Sequence, residues 1–150
     1  MFRQFMWHFR WGLDLDLMRA ATGALLGTHD FKAFESANAQ SETTVRTVTR
    51  AEWMGSGPQL IFAIEADAFL YNMVRAIVGT LTEVGRGKIA PELMPQIIAG
   101  ADRARAGRTA PPQGLCLMEV RYDLPEPPDQ PVADRQLRKR EQPGAQADTK

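Results

Sequence analysis

Residues 66–88 are the stretch that most constrains the fold of this chain. Apolar side chains recur in it at spacings of three and four, which predicts one amphipathic helix with a broad apolar stripe. Asp67 is a candidate N-cap, and Gly85 is a candidate for the residue just past the helix end. The stripe consists of Phe69, Leu70, Met73, Val74, Ile77, Val78, Leu81 and Val84.

A second, narrower stripe runs along the same segment. Tyr71, Arg75 and Gly79 are four residues apart, so a helix stacks them on one flank. This spacing places an arginine between an aromatic ring and a gap where another backbone can approach. Pattern alone leaves two interpretations of Arg75 open. Either its aliphatic part lies along the edge of the core while the guanidinium stays in water, or the planar guanidinium binds a carboxylate or phosphate.

Shorter patterns on both sides of this helix complete the fold prediction. Residues 45–53 and 59–66 alternate as strands do, and the Gly- and Pro-containing turn between them predicts an antiparallel hairpin. Residues 115–122 alternate in the same way and predict a last strand. With a further helix at residues 14–26, the chain is predicted to be α+β, a mainly antiparallel sheet with helices packed on one face.

The remaining helix predictions rest on residues that typically begin or interrupt helices. Asp14 or Asp16 is expected to cap the helix of residues 14–26. Pro91 opens a further helix at a position that tolerates proline. Pro95 is unfavourable in a helix interior, so this helix is expected to kink or to restart after it.

Two residues have both a catalytic and a structural interpretation. His29 is a possible general base, but Asp30 beside it is more simply explained as the cap of a short turn that runs to Phe34. Cys116 is a possible catalytic thiol. No His or Lys flanks it, however, so we expect a buried, inert cysteine.

Composition bounds the class of protein. The 150 residues are 44% apolar, which is enough for a domain with its own core. Lys plus Arg and Asp plus Glu both number 18, so the chain lacks the basic footprint of most nucleic-acid binders. A single cysteine excludes an internal disulfide and suits a reducing compartment. With no apolar run of about 20 residues, no membrane span is predicted, and we expect a cytoplasmic protein.

The domain prediction divides the chain into three parts. Residues 1–12 are interpreted as a truncated inter-domain link, although a frayed N-terminus explains them equally well. Residues 13–122 are predicted to be one domain. Residues 123–150 are rich in proline and charge, and we expect a disordered tail there.

Taken in order, several segments resemble the C-terminal half of the tRNA pseudouridine synthase A family. Residues 69–79, followed by residues 83–87, are similar to that family's third signature segment. The resemblance covers roughly residues 7 to 128. The shorter matching pieces are His29-Asp30-Phe31 with Phe34, Gln40-Ser41, Arg46-Thr47, Thr109-Ala110-Pro111 and Gly114-Leu115.

This resemblance implies an activity and roles for individual residues. Family members isomerise uridine to pseudouridine in the anticodon stem-loop of tRNA, without cofactor or metal and as homodimers. Arg75 matches the family arginine that pairs with the catalytic aspartate. Leu115 matches the apolar residue that packs near the target uracil. Tyr71 and Met73 are expected to help line the pocket.

One element of the family pattern is not found in this sequence. The family's nucleophilic aspartate lies in an Arg-Thr-Asp-x-Gly motif, which these residues do not contain. We therefore expect a C-terminal half that is inactive alone. An open sheet edge further predicts self-association. The alternatives are a non-catalytic module for RNA binding or dimerisation, and a decayed gene product.

Overall fold

The computed structural model describes residues 5–122. The chain divides into two compact units, Met1–Cys116 and Leu117–Lys150. All the helices and strands of the described residues belong to the first unit. None of those helices is both long and apolar enough to cross a membrane. The same residues contain no group of three or more His, Cys, Asp or Glu side chains placed to hold a metal ion.

The first helix, α1 (Leu15–Thr22), begins at an aspartate cap. The Asp14 carboxylate accepts hydrogen bonds from the backbone N–H groups of Asp16 and Leu17, at 3.0 and 3.1 Å. Of the two expected caps, Asp14 is therefore the one that is used. The helix passes into a 3-10 turn at Gly23–Leu25, so the helix predicted at residues 14–26 is confirmed.

Three antiparallel strands form the sheet, in the order β1 (Gly27–Asp30), β2 (Val45–Met54) and β3 (Ile61–Ala66). The predicted hairpin is the β2–β3 pair. Strand β1 was not predicted, because its four residues are too few and too polar to show alternation. His29 lies in it and donates a hydrogen bond from Nε2 to the Leu26 carbonyl oxygen at 2.7 Å, a structural role.

An irregularity in β2 sets which face of the sheet meets the helices. The register with β3 shifts just after Val48, so Val48 and Ala51 both pack on the apolar core. Trp53 packs on the same core, and its ring lies 4.9 Å from that of Phe62 on β3. The Trp53 indole also donates to the Thr22 hydroxyl of α1 at 3.1 Å. Helices therefore pack against the sheet, and the α+β prediction is confirmed.

The central helix, α2 (Met73–Gly85), runs through the core. Its last residue, Gly85, permits close contact with α1, because a Cβ atom there would lie 2.6 Å from the Met18 sulfur. The Gly85 carbonyl also accepts a hydrogen bond from the backbone N–H of Asp14 at 2.8 Å. The fully or almost fully buried apolar side chains of the helix are Met73, Ala76, Ile77, Leu81 and Val84.

The start of α2 differs from the prediction. Residue 66 ends β3, and the helix begins only at Met73, preceded by Asn72 in the left-handed conformation with φ +62°. Asp67 is not its cap. The Asp67 carboxylate instead accepts from the backbone N–H groups of Thr47 and Ala68, at 2.9 and 2.8 Å. The carboxylate is thus used to hold the end of the hairpin, so Tyr71 precedes the helix and does not lie on its flank.

The chain after α2 turns back in short pieces. A 3-10 turn at Pro91–Leu93 leads directly into α3 (Met94–Gly100). Pro95 lies in the first turn of α3, where its missing N–H costs nothing. The expected interruption is present, but the helix restarts at Met94, just before Pro95 and not after it. A last 3-10 turn follows at Arg103–Arg105.

The last strand, predicted at residues 115–122, is not among the strands assigned within residues 5–122. Alternation alone is not sufficient for a strand, which also needs the hydrogen-bonding edge of a neighbour. Cys116 is exposed, so the expectation of a buried cysteine was wrong, because apolar neighbours in the sequence do not by themselves bury a side chain. In the second unit, Leu117 and Met118 are also exposed. The predicted tail at residues 123–150 lies outside the described residues.

Candidate functional site

The Arg75 side chain lies in the first turn of α2, partly buried, between two oxygen acceptors. Its Nε donates to the Ala110 carbonyl oxygen at 2.7 Å, and its Nη1 donates to Oδ1 of Asn72 at 2.8 Å. Both acceptors are neutral. Among residues 5–122, no carboxylate forms an ion pair with Arg75. The guanidinium is therefore oriented by the protein without being neutralised by it.

Ala110 is bound to Arg75 through the backbone as well. The Ala110 N–H donates to the Arg75 carbonyl oxygen at 2.9 Å. One turn further along α2, a Cβ atom at Gly79 would overlap the carbonyl oxygen of Arg108. The gap that the sequence predicted at Gly79 is thus occupied by the backbone of residues 107–110, which we call the 107–110 loop.

Thr80 attaches the beginning of the 107–110 loop to α2. Its buried hydroxyl donates to the Ala76 carbonyl at 2.8 Å and accepts from the Gly107 N–H, also at 2.8 Å. A Cβ atom at Gly107 would lie 2.7 Å from the Thr80 Cα. The Arg103 side chain, which precedes the loop in sequence, donates to the Gly107 carbonyl at 2.8 Å and to the Thr109 hydroxyl at 2.9 Å. Side-chain and backbone bonds therefore fix this loop on both sides.

The residues just before α2 are held by a second connection. Asn72 tolerates its positive φ better than most residues because its short amide can bond locally, and here that amide binds Arg75. The carbonyl of Tyr71 accepts a hydrogen bond from the Ser36 N–H at 3.2 Å. The Tyr71 side chain itself is 68% exposed. The start of the helix is thus anchored by backbone contacts, while the aromatic ring faces solvent.

A buried carboxylate stabilises the turn that carries Ser36. Glu35 is only 2% exposed, and the Lys32 ammonium lies 2.6 Å from its Oε2. The hydrogen bond from Lys32 holds the pKa of Glu35 below its ordinary value of 4.5, and Ser41 adds to this effect. Burial opposes both by penalising the charged form, but it is the smaller influence.

Leu115 lies five residues after Ala110, beyond the end of the 107–110 loop. It is 55% exposed and comes directly after Gly114, whose φ is +90°. Gly114 lies against the N-terminal segment, since a Cβ atom there would be 3.3 Å from the Trp7 nitrogen. An open cleft of about 310 Å³ lies between this N-terminal segment and the residues just before Gly114. It is lined by Met6, Trp7, His8, Pro111 and Gln113.

The four predicted site residues therefore have different surroundings. Arg75 is partly buried and oriented, and Tyr71 and Leu115 are exposed on the surface of the first unit. Met73 is fully buried in the core, where it supports the helix that carries Arg75. Their roles toward a substrate stay predictions.

Sequence reasoning missed three residues that position Arg75 and its loop. Asn72, immediately before the first helical residue, had a usable signal, because asparagine is enriched in left-handed backbone. Thr80 had none, since a threonine within an apolar helix is equally consistent with a bond to its own backbone. Arg103 had no distinguishing signal, because Arg105 and Arg108 lie close to it in the sequence and nothing in the pattern separates the three.

Comparison with known proteins adds sequence evidence for the region of the candidate site. The profile of the tRNA pseudouridine synthase family matches residues 21–123, a stretch that includes α2 and the 107–110 loop.

Individual curated relatives match over a similar region. The tRNA pseudouridine synthase A of Geotalea uraniireducens is 47% identical over 116 residues, covering 77% of this chain and 48% of that protein. The protein of the same name from Acetivibrio thermocellus is 50% identical over 116 residues, with the same coverage of each chain. That from Bacillus pumilus is 46% identical over 121 residues, covering 81% of this chain and 49% of the relative. The chain thus spans about half the length of the curated relatives it matches.

Proposed function

Because this chain belongs to the tRNA pseudouridine synthase family, we propose that it forms the C-terminal half of a tRNA pseudouridine synthase. Its substrate is a uridine in the anticodon stem-loop of tRNA. The nucleophilic aspartate comes from outside these 150 residues, and without it the chain is inactive.

The observation that carries this proposal is the electrostatic state of Arg75. Its guanidinium is held in place by two neutral oxygens, with no ion pair to any of residues 5–122. It also lies in the first turn of α2, where the partial positive charge of the helix terminus disfavours a cation. A carboxylate placed here would be stabilised by both charges. Such an environment keeps an aspartate ionised in a partly dry pocket.

The chemistry of the proposed reaction needs these features. The carboxylate attacks the nucleoside, the glycosidic bond opens, and the base turns and rejoins the sugar through carbon. Arg75 holds the carboxylate in its charged, nucleophilic form and fixes its position. The target base must leave the stack to be reached. The exposed Leu115 side chain offers the released uracil an apolar contact that helps to confine it.

We extend the proposal to the partners and setting of the chain. A second copy of the chain pairs with it in the complete enzyme, as the family resemblance implies. Exposed apolar side chains such as Trp11 and Ile61 support an association of this kind. The proposed substrate, tRNA, is consistent with a cytoplasmic location.

A chimeric enzyme tests the proposal. The N-terminal half of the Geotalea uraniireducens relative is fused in front of this chain, and tritium release from tRNA containing 5-tritiated uridine is measured. We expect turnover by the chimera and none by the chain alone. A control chimera has alanine in place of the donor's aspartate in its Arg-Thr-Asp-x-Gly motif, and it should be inactive. Turnover by the chain alone would refute its incompleteness. A folded but inactive chimera would refute the catalytic role and favour a non-catalytic module.

A further inference from the structure

Residues 100–116 carry an excess of positive charge. They contain three arginines, Arg103, Arg105 and Arg108, and one acidic residue, Asp102. The Asp102 carboxylate accepts a hydrogen bond from the Ala104 N–H at 2.9 Å and caps the turn that follows. The acid is therefore used in local backbone structure, and no arginine of this segment is paired with it.

The three arginines have different states. Arg103 is bound to the 107–110 loop through Gly107 and Thr109. Arg105 and Arg108 are exposed, and within residues 5–122 neither side chain has a hydrogen bond or an ion pair.

Cations elsewhere on the surface of the first unit are more often paired. Arg19 is paired with Asp16, and Arg50 is paired with Glu52. Arg105 and Arg108 have no carboxylate partner within residues 5–122, which leaves both charges available to an external anion.

The backbone that presents these two side chains is fixed. The carbonyl of Arg108 packs against Gly79 of α2, where a Cβ atom would overlap it. The backbone N–H of Arg105 donates to the Asp102 carbonyl at 3.2 Å, which holds the 3-10 turn that carries this side chain. A binding surface on a fixed backbone loses less conformational entropy when it binds a ligand. These two cations are thus suited to binding a rigid, charged partner.

We propose that Arg105 and Arg108 form a surface that binds the phosphate backbone of RNA. The inference rests on the proposed function, and it adds a contact region beyond the reacting base. The planar guanidinium matches the geometry of phosphate oxygens. The same loop region continues from Ala110, the partner of Arg75, to Leu115. Arg108 is two residues from Ala110 on the loop that holds Arg75, so RNA that delivers a uridine to Arg75 would run near this loop. Such contacts position RNA without reading its sequence.

Salt-dependent RNA binding tests this proposal. A fluorescent RNA hairpin with the sequence of a tRNA anticodon stem-loop is titrated with the full chain between about 50 and 200 mM KCl. The variant R105Q/R108Q is compared with R19Q/R50Q, which removes the same number of positive charges from paired positions. Each phosphate contact contributes about 0.7 to 0.9 to the slope of log K against log salt concentration. We expect R105Q/R108Q to reduce the magnitude of this slope by about 1.5. We also expect it to bind the RNA at least about fivefold more weakly than the wild type.

The outcomes separate this inference from the proposed function. Equal binding by the two double variants, or no salt-dependent binding by the wild-type chain, would overturn the phosphate surface. The tritium-release result of the chimera is independent of this comparison, so each claim can fail alone. Because neither side chain has a partner within residues 5–122, thermal unfolding of R105Q/R108Q should match the wild type. That match would confirm that weaker binding does not reflect misfolding.

Discussion

Arg75 and Ala110 exchange hydrogen bonds in both directions. The side chain of Arg75 donates to the Ala110 carbonyl at 2.7 Å, and the Ala110 N–H donates to the Arg75 carbonyl at 2.9 Å. The direction of the guanidinium is therefore coupled to the position of the 107–110 loop. Changes that displace this loop should also change how the cation is presented.

The contact at Gly79 gives the first prediction. G79A should lower the free energy of unfolding by about 2 kcal/mol, because the new methyl group overlaps the Arg108 carbonyl and forces the loop away from α2. The control is G23A. Gly23 has an ordinary helical φ of −57° and no atom within 4 Å of a Cβ position, so alanine there should stabilise slightly or have no effect. Denaturant unfolding of both variants measures the difference. Equal unfolding free energies for G79A and G23A would show that the 107–110 loop does not pack against Gly79.

The Thr80 hydroxyl gives the second prediction. T80V should cost about 1 to 3 kcal/mol of unfolding free energy, because the buried N–H of Gly107 loses its acceptor. T80S keeps the hydroxyl and should recover part of the loss. The control T82V removes a hydroxyl that bonds only to the Val78 carbonyl of its own helix, and it should cost less than about 1 kcal/mol. A T80V cost no larger than that of T82V would contradict the proposed attachment.

The buried ion pair gives a prediction about pH. Since the pKa of Glu35 in the folded state lies below 4.5, its ionised form stabilises the protein above that value. This stabilisation is lost as pH falls through the lowered folded-state pKa. K32M leaves the buried carboxylate without its partner, so it should lower the Tm at neutral pH. The difference from wild type should shrink below pH 4.5, where the carboxylate of the variant is protonated.

A surface pair provides the control for that experiment. R50M breaks the exposed pair with Glu52 and should change stability by at most about 1 kcal/mol. A Tm difference between K32M and wild type that stays constant across pH would contradict the role assigned to Glu35.

Self-association gives a fourth prediction. Strand β3 is an edge of the sheet formed by residues 5–122, and its Ile61 side chain is 59% exposed. Light scattering coupled to size exclusion should detect species larger than the 16.7 kDa chain. I61K should increase the monomer fraction, since a charged edge residue opposes strand pairing. A monodisperse wild-type monomer would contradict the prediction.

The sequence determined the elements with strong periodicity. The apolar stripe of α2 and the alternation of β2 and β3 were sufficient for the α+β prediction, since burial of one face imposes a period. The start of α2 was misplaced because Asp67 has the chemistry of a helix cap. The same carboxylate serves the hairpin through Thr47, a tertiary contact that no local pattern reports.

The candidate site shows the same division. The spacing of Arg75 and Gly79 indicated a cation beside a close backbone approach, and the structure has that arrangement. It did not indicate which segment approaches, because the 107–110 loop is distant in sequence. The strand predicted at residues 115–122 shows the converse: its alternation is present, but no strand is assigned to these residues within the part of the chain that the structure describes.

The Arg75 dependence of turnover tests the central claim most directly. In the chimera with the Geotalea uraniireducens N-terminal half, R75A should reduce tritium release by at least about a hundredfold, because the catalytic carboxylate loses the cation that keeps it ionised and in position. R75K retains the charge without the planar fork and should recover part of the rate. R19A, at an exposed arginine on α1, should leave turnover unchanged. Turnover of a folded R75A chimera at the rate of the R19A control would contradict the account.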